Sequence, residues 1–167
     1  MRVQIVLGIA AVALLAGLAP AGEVIKKEEV PGRIKLLKSK AADPKARAQA
    51  AEELGRRGEL RAPDVVDAQE PLRNALLKEN PEVLRRAAAV ALGRIASEPK
   101  ENVPALMEAL NDKSDLVKMA VAGALGQFGV EAQPAVPALS ELAKNMKNKK
   151  LAQAARQALK MIRSAKK

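Results

Sequence analysis

The feature that most constrains this chain is internal repetition. Four prolines, Pro31, Pro71, Pro104 and Pro137, stand 40, 33 and 33 residues apart, and each introduces a similar segment. These read Pro31-Gly-Arg-Ile-Lys-Leu-Leu-Lys, Pro71-Leu-Arg-Asn-Ala-Leu-Leu-Lys, Pro104-Ala-Leu-Met-Glu-Ala-Leu-Asn and Pro137-Ala-Leu-Ser-Glu-Leu-Ala-Lys. A second signature follows each first one: Ala50-Ala-Glu-Glu-Leu-Gly55, Ala88-Ala-Val-Ala-Leu-Gly93 and Val121-Ala-Gly-Ala-Leu-Gly126. Ala155-Arg-Gln-Ala-Leu-Lys160 continues the pattern, with Lys in place of Gly. Self-similarity at this period is the mark of a stack of small units, none of which buries its apolar face alone.

Each unit reads as two helices. Proline is tolerated in the first turn of a helix, where its missing N–H has no partner to lose, so each of the four prolines suits the start of a first helix. Polar breaks follow at Ala42-Asp43-Pro44, Glu79-Asn80-Pro81, Asp112-Lys113-Ser114 and Asn148-Lys149-Lys150. A second helix then runs to the Leu-Gly pair, whose Gly is expected to help end it. Composition agrees, because Ala, Leu, Lys, Arg, Glu and Gln dominate and Phe128 is the only aromatic residue. Those residues favour helix, and the aromatic part of β preference is missing.

Stacked on the Gly, several columns stay apolar. Leu54, Leu92, Leu125 and Leu159 form one, and Ala50, Ala88, Val121 and Ala155 form another four residues earlier, on the same helical face. Ile95, Phe128 and Ile162 make a third, which Arg57 breaks in the first repeat. These columns are the expected core. Arg56 to Pro63 reads as a loop within an insertion around Arg56–Asp67, and Gly22 to Val30 as a lead-in or tether of mixed charge.

Val103-Pro-Ala-Leu106, Ala135-Val-Pro-Ala-Leu139, Pro81-Glu-Val83 with Arg85 beyond it, and the Ala-x-Ala-Leu-Gly endings at 89–93 and 122–126 resemble the HEAT-repeat family. The likeness is to its short, Ala-rich bacterial repeats, and it covers roughly residues 31–163. It implies an all-α fold, an α-solenoid built as a right-handed superhelix of about four helix pairs. The pairs would lie at about 31–58, 64–98, 99–132 and 133–163, with a basic tail at 164–167. It also implies a protein-interaction scaffold, although the resemblance includes some lyases of pigment attachment, which act in the cytoplasm. The period is shorter than is usual for the family, and the last unit lacks its closing Gly. Arg47, Arg85 and Lys118 share a position eight residues before the Gly. The resemblance implies that such a cation pairs with an acid at the preceding turn, a part open to Glu79 and Asp112. The alternative is that these cations form a ladder facing a ligand.

The residue inventory narrows the chemistry. Without Cys there is no thiol nucleophile, disulfide or thiolate metal site, and without His the usual near-neutral acid–base group is missing. No carboxylate or Ser–Lys spacing suggests a catalytic site, so neither an enzyme nor a cofactor or metal site is expected. The formal net charge of +10 favours anionic partners. From Ala143 to Lys167 there are nine basic residues and no acidic one. The candidate partner-binding residues are Arg47, Arg85, Arg86, Lys118, Lys149, Lys150, Arg156 and Lys160, and charge reversal at Arg85 and Arg86 together is the probe this reading suggests. The expected partner is a protein or peptide. An anionic lipid or polyanion bound by the basic C-terminal segment is the alternative, and a solubilising end cap is the plainer explanation of that segment. Nucleic acid is disfavoured because no aromatic platform exists for stacking bases.

The first residues read as an address. Met1-Arg2 precedes an uncharged run from Val3 to Ala19, and Ala19-Pro20-Ala21 ends it with small residues at the positions a signal peptidase reads. The expectation is residues 1–21 as an export signal cleaved after Ala21, placing the folded part in the periplasm or outside the cell. The alternative is an uncleaved anchor, although seventeen residues is at the lower limit for crossing a bilayer.

Overall fold

The computed structural model describes residues 24–145 and 147–165. The expected export signal and the last two residues of the basic tail lie outside them. Eight α-helices follow one another: α1 (Val30–Lys38), α2 (Pro44–Glu59), α3 (Gln69–Ala75), α4 (Glu82–Ile95), α5 (Pro99–Ala109), α6 (Asp115–Gln127), α7 (Val136–Ala143) and α8 (Lys149–Ser164). Short 3-10 turns at Lys27–Glu29, Pro63–Ala68 and Gly129–Ala135 precede α1, α3 and α7. Among the described residues no helix is long and apolar enough to cross a membrane.

The second helices form the main layer. α2 packs on α4, α4 on α6 and α6 on α8, while the shorter first helices line one flank of that stack. Each second helix begins at one of the polar breaks, and three of them are capped there by a side chain. Asp43 accepts from the Lys45 and Ala46 N–H groups, Ser114 from Val117 and Asn148 from Leu151. Such caps satisfy N–H groups that have no partner inside the helix.

The three apolar columns line one continuous core that runs from Ile25 to Ile162, with half-buried Ile95 packed against it and Ala50 buried outside that cluster. Leu92 is fully buried within it. Leu92→Ala should lower stability by about 2–5 kcal/mol, seen as a shifted denaturant midpoint with unchanged slope. Where Arg57 interrupts the third column, its guanidinium donates to Asp64 and to the Ile25 carbonyl, and Ile25 is buried alongside. The lead-in is therefore anchored in the core at Ile25 and Val30 and is not a free tether.

The glycines do not end helices. Gly55, Gly93 and Gly126 lie inside α2, α4 and α6, where neighbouring helices come closest. A methyl group added at Gly55 would sit 2.7 Å from the Ala91 Cα, and one at Gly93 would sit 2.6 Å from the Ala124 Cα. At Gly126 it would meet the Met161 Sδ at 3.1 Å and the Ala158 Cα at 3.2 Å. Each Gly thus receives the Ala that stands two residues before the next repeat's Gly position. At the first repeat the place of that Ala is taken by Glu53, fully buried and bonded to Arg33 at 2.5 Å. At the last repeat the place of the Gly is taken by Lys160, which is exposed. Charged residues thus occupy both ends of the ladder.

Two further expectations change. α2 continues through Arg56–Gly58, because Gly58 packs against Ile95 of α4 and Arg57 is held as described. α5 begins at Pro99, so Pro104 lies inside it and not at its start. The approach to α5 is unusual: Ala96 and Glu98 both adopt positive φ, at 45° and 48°. Non-glycine residues occupy that region at some cost in strain. A network that joins α3 to α5 holds the junction. Asn102 donates to the Gln69 amide oxygen and to the Ser97 carbonyl, Gln69 donates to the Ser97 hydroxyl, and Arg73 bridges Glu98 and Asn102.

Candidate partner-binding surface

The stack leaves one side of the second helices uncovered. Counted from the Gly position, residues ten, seven and three places earlier share this face. In α4 and α6 they are Val83, Arg86 and Val90, then Leu116, Met119 and Gly123. Leu116 is 49% exposed, Arg86 is exposed, and Val83, Val90 and Met119 are half-buried. A methyl group added at Gly123 would meet nothing within 4 Å, so this glycine leaves a gap on the surface. The result is an apolar strip across the two middle repeats. Exposed Glu52 of α2 flanks it on one side, and Lys150 and Gln153 of α8 on the other.

The candidate cations divide four ways. Arg47 and Arg85 are buried and do not face a ligand. Arg47 donates to the Leu37 carbonyl at 3.0 Å, closing the end of α1. Arg85 makes a two-pronged contact with Asp112, at 2.6 and 2.8 Å, and donates to the Asn80 carbonyl. It therefore ties one repeat to the next. The acid it uses lies in the following repeat, while Glu79, the residue six before it, stays exposed. Lys118 likewise pairs with Asp115 at 3.0 Å and not with Asp112. The joint reversal at Arg85 and Arg86 is thereby ruled out as a surface probe, because a carboxylate at Arg85 would be buried against Asp112. Arg86 alone is the usable position.

Three of the aspartates in these polar ties have lowered carboxyl pKa values. The Arg85 guanidinium, aided by the Ser114 N–H, holds the Asp112 carboxyl below the usual carboxylate range against the opposing effect of burial. Arg57 does the same for Asp64. The side chains of Asn148 and then Lys118 lower Asp115, and the Asn148 bond links the third repeat to the fourth.

The remaining cations, Lys149, Lys150, Arg156 and Lys160, belong to α8 and are exposed. Arg156, Lys160, Arg163, Leu159 and Ser164 border an open hollow of about 540 Å³ on the end of the stack. At the opposite end a hollow of about 590 Å³ places Lys27, Lys35 and Lys38 beside Asp64 and Asp67. Among the described residues, no three acidic side chains gather in a way that could hold a metal ion.

Helix pairs stacked in one direction, each docked only on its neighbours, define an α-solenoid. The sequence profile for HEAT repeats matches residues 30–100 and 69–160, and the chain belongs to the HEAT-repeat family. No curated protein matches the chain. Proteins of this architecture serve as helical scaffolds for other proteins, and the chain is such a scaffold in that general sense.

Proposed function

We propose that this protein is a non-catalytic adaptor working outside the cytoplasm, and that it binds a protein or peptide on the uncovered face of α4 and α6. The observation that carries this reading is the continuous apolar strip of exposed Leu116 and half-buried Val83, Val90 and Met119, open at Gly123, across two adjacent second helices. Interfaces are built around such apolar anchors with polar rims, and Arg86 supplies a rim cation. The partner segment that fits is apolar, with an acidic residue placed to meet Arg86. The export reading of residues 1–21 supports the location.

Photo-crosslinking in the native cells tests this. A photoreactive residue at Met119 in the full chain should give one or a few discrete adducts. Adding Leu116→Asp and Arg86→Glu should abolish them while circular dichroism stays unchanged, because both side chains are solvent-exposed. Adducts that persist unchanged in the folded double variant would place the binding surface elsewhere.

A further inference from the structure

The basic face of α8 is more specific than an end cap requires. In the first three repeats, the positions four before the Gly, at the Gly and three after it hold small residues. They are Ala51, Gly55 and Gly58, then Ala89, Gly93 and Ala96, then Ala122, Gly126 and Gly129. The glycines among them lie against the following second helix, and even Gly129 meets Ala165 of the last repeat. In α8 the three positions hold Arg156, Lys160 and Arg163. With Lys149 they fall within about 60° of one another around the helix and span about 21 Å along it.

Solubility would be served equally by mixed charge. The opposite end shows this, since Arg33 pairs there with Glu53 and Glu29, and Arg57 with Asp64. None of the four α8 cations has an acidic partner among the described residues. Two further features oppose helix stability. Arg156, Lys160 and Arg163 repel one another at spacings of four and three residues. Lys149 and Lys150 also sit in the first turn, where the helix dipole disfavours cations. The other second helices carry Asp43, Glu82 and Asp115 at their starts.

We propose that this end face docks on an anionic lipid bilayer, leaving the uncovered face of α4 and α6, about a quarter turn away, free for its protein partner. Charge complementarity points to an anion. A broad helical end with separated cations, and with no large apolar side chain exposed on α8, lacks the anchor that a protein interface uses but suits a charged plane. The proposal does not depend on the adaptor reading, since Lys149, Arg156, Lys160 and Arg163 are none of the strip residues Val83, Arg86, Val90, Leu116 and Met119.

The test uses the full chain. It has no cysteine, so Ser164→Cys accepts one environment-sensitive fluorophore beside the basic face. The apolar segment 3–19 can enter any bilayer, so the readout is quenching of this label by a headgroup-attached nitroxide, which reports where α8 lies. Vesicles with about 30 mol% phosphatidylglycerol should quench it strongly, and quenching should fall to about a fifth or less in about 500 mM salt. The same loss is expected with phosphatidylcholine alone and in the Arg156→Glu, Lys160→Glu, Arg163→Glu variant. All three side chains are exposed, and unchanged circular dichroism confirms that this variant is folded. Equal quenching in both lipids, or none in either, would overturn the proposal. So would strong binding of soluble polyglutamate without quenching on anionic vesicles, which would make the face a site for acidic protein.

Discussion

Gly93→Ala should destabilise this protein by about 1–3 kcal/mol and lower Tm by roughly 5–10 °C, although alanine is the better helix former. On helix propensity alone the change would stabilise by about 1 kcal/mol. The added methyl, however, would lie 2.6 Å from the Ala124 Cα and 2.9 Å from its Cβ. Those atoms belong to a packed backbone and a side chain without rotamers, so relief requires the fourth and sixth helices to separate. Gly123→Ala is the matched control, because nothing lies within 4 Å of its new methyl. It should raise stability by about 0.5–1 kcal/mol. Thermal unfolding of the two variants should therefore show shifts of opposite sign. Two shifts of the same sign would mean that the close approach at Gly93 does not limit the stacking.

Asp112→Ala should be more damaging, by about 3–5 kcal/mol, because it strands a buried guanidinium. The Arg85 and Asp112 side chains are 3% and 2% exposed, and the pair spans a repeat boundary. Replacing both partners by leucine should recover much of the loss, since the penalty lies in leaving one charge unpaired. The pH dependence follows from the depressed Asp112 carboxyl. A carboxylate that is harder to protonate folded than unfolded contributes stability above the unfolded value, about pH 4, and loses it as pH falls through the folded value. Denaturant titrations at neutral and acid pH should therefore show the difference between wild type and Asp112→Ala narrowing below about pH 4. A constant difference would mean that the pair is not ionised as described.

The repeat phase, the helix pairs and the three apolar columns were legible in the sequence, because each is a periodic pattern of residue types. The role of the glycines was not. A glycine near the end of an apolar run reads equally as a terminator or as a point of close approach, and only the neighbouring helix distinguishes the two. The partner of Arg85 was missed for a similar reason. Spacing within one repeat suggested Glu79, whereas the acid is supplied by the next repeat, 27 residues away. The α2 extension through Arg56–Gly58 depends on Asp64 and Ile25, neither of which signals a helix locally. Of the eight candidate cations, Arg47 and Arg85 stood apart from Arg86 by their shared place eight residues before the Gly, but that spacing left open whether they are buried ties or face a ligand. The apolar strip went unnoticed because Val83, Val90, Leu116 and Met119 look like core residues until the faces are assigned.

The glycine–alanine ladder also governs how such a protein could grow. Each inner unit offers an alanine backward and a glycine forward, so it accepts a duplicate of itself without a change in either contact. A second copy of residues 94–126 placed after Gly126 would set its own Ala against Gly126 and its own Gly against Ala158. A unit appended beyond the last helix would instead meet Arg156, Lys160 and Arg163, and one placed before the first would meet the Arg33–Glu53 pair. Lengthening by gene duplication is therefore accommodated in the middle of this molecule without new contacts, whereas a copy stacked on either end face would bury charged side chains.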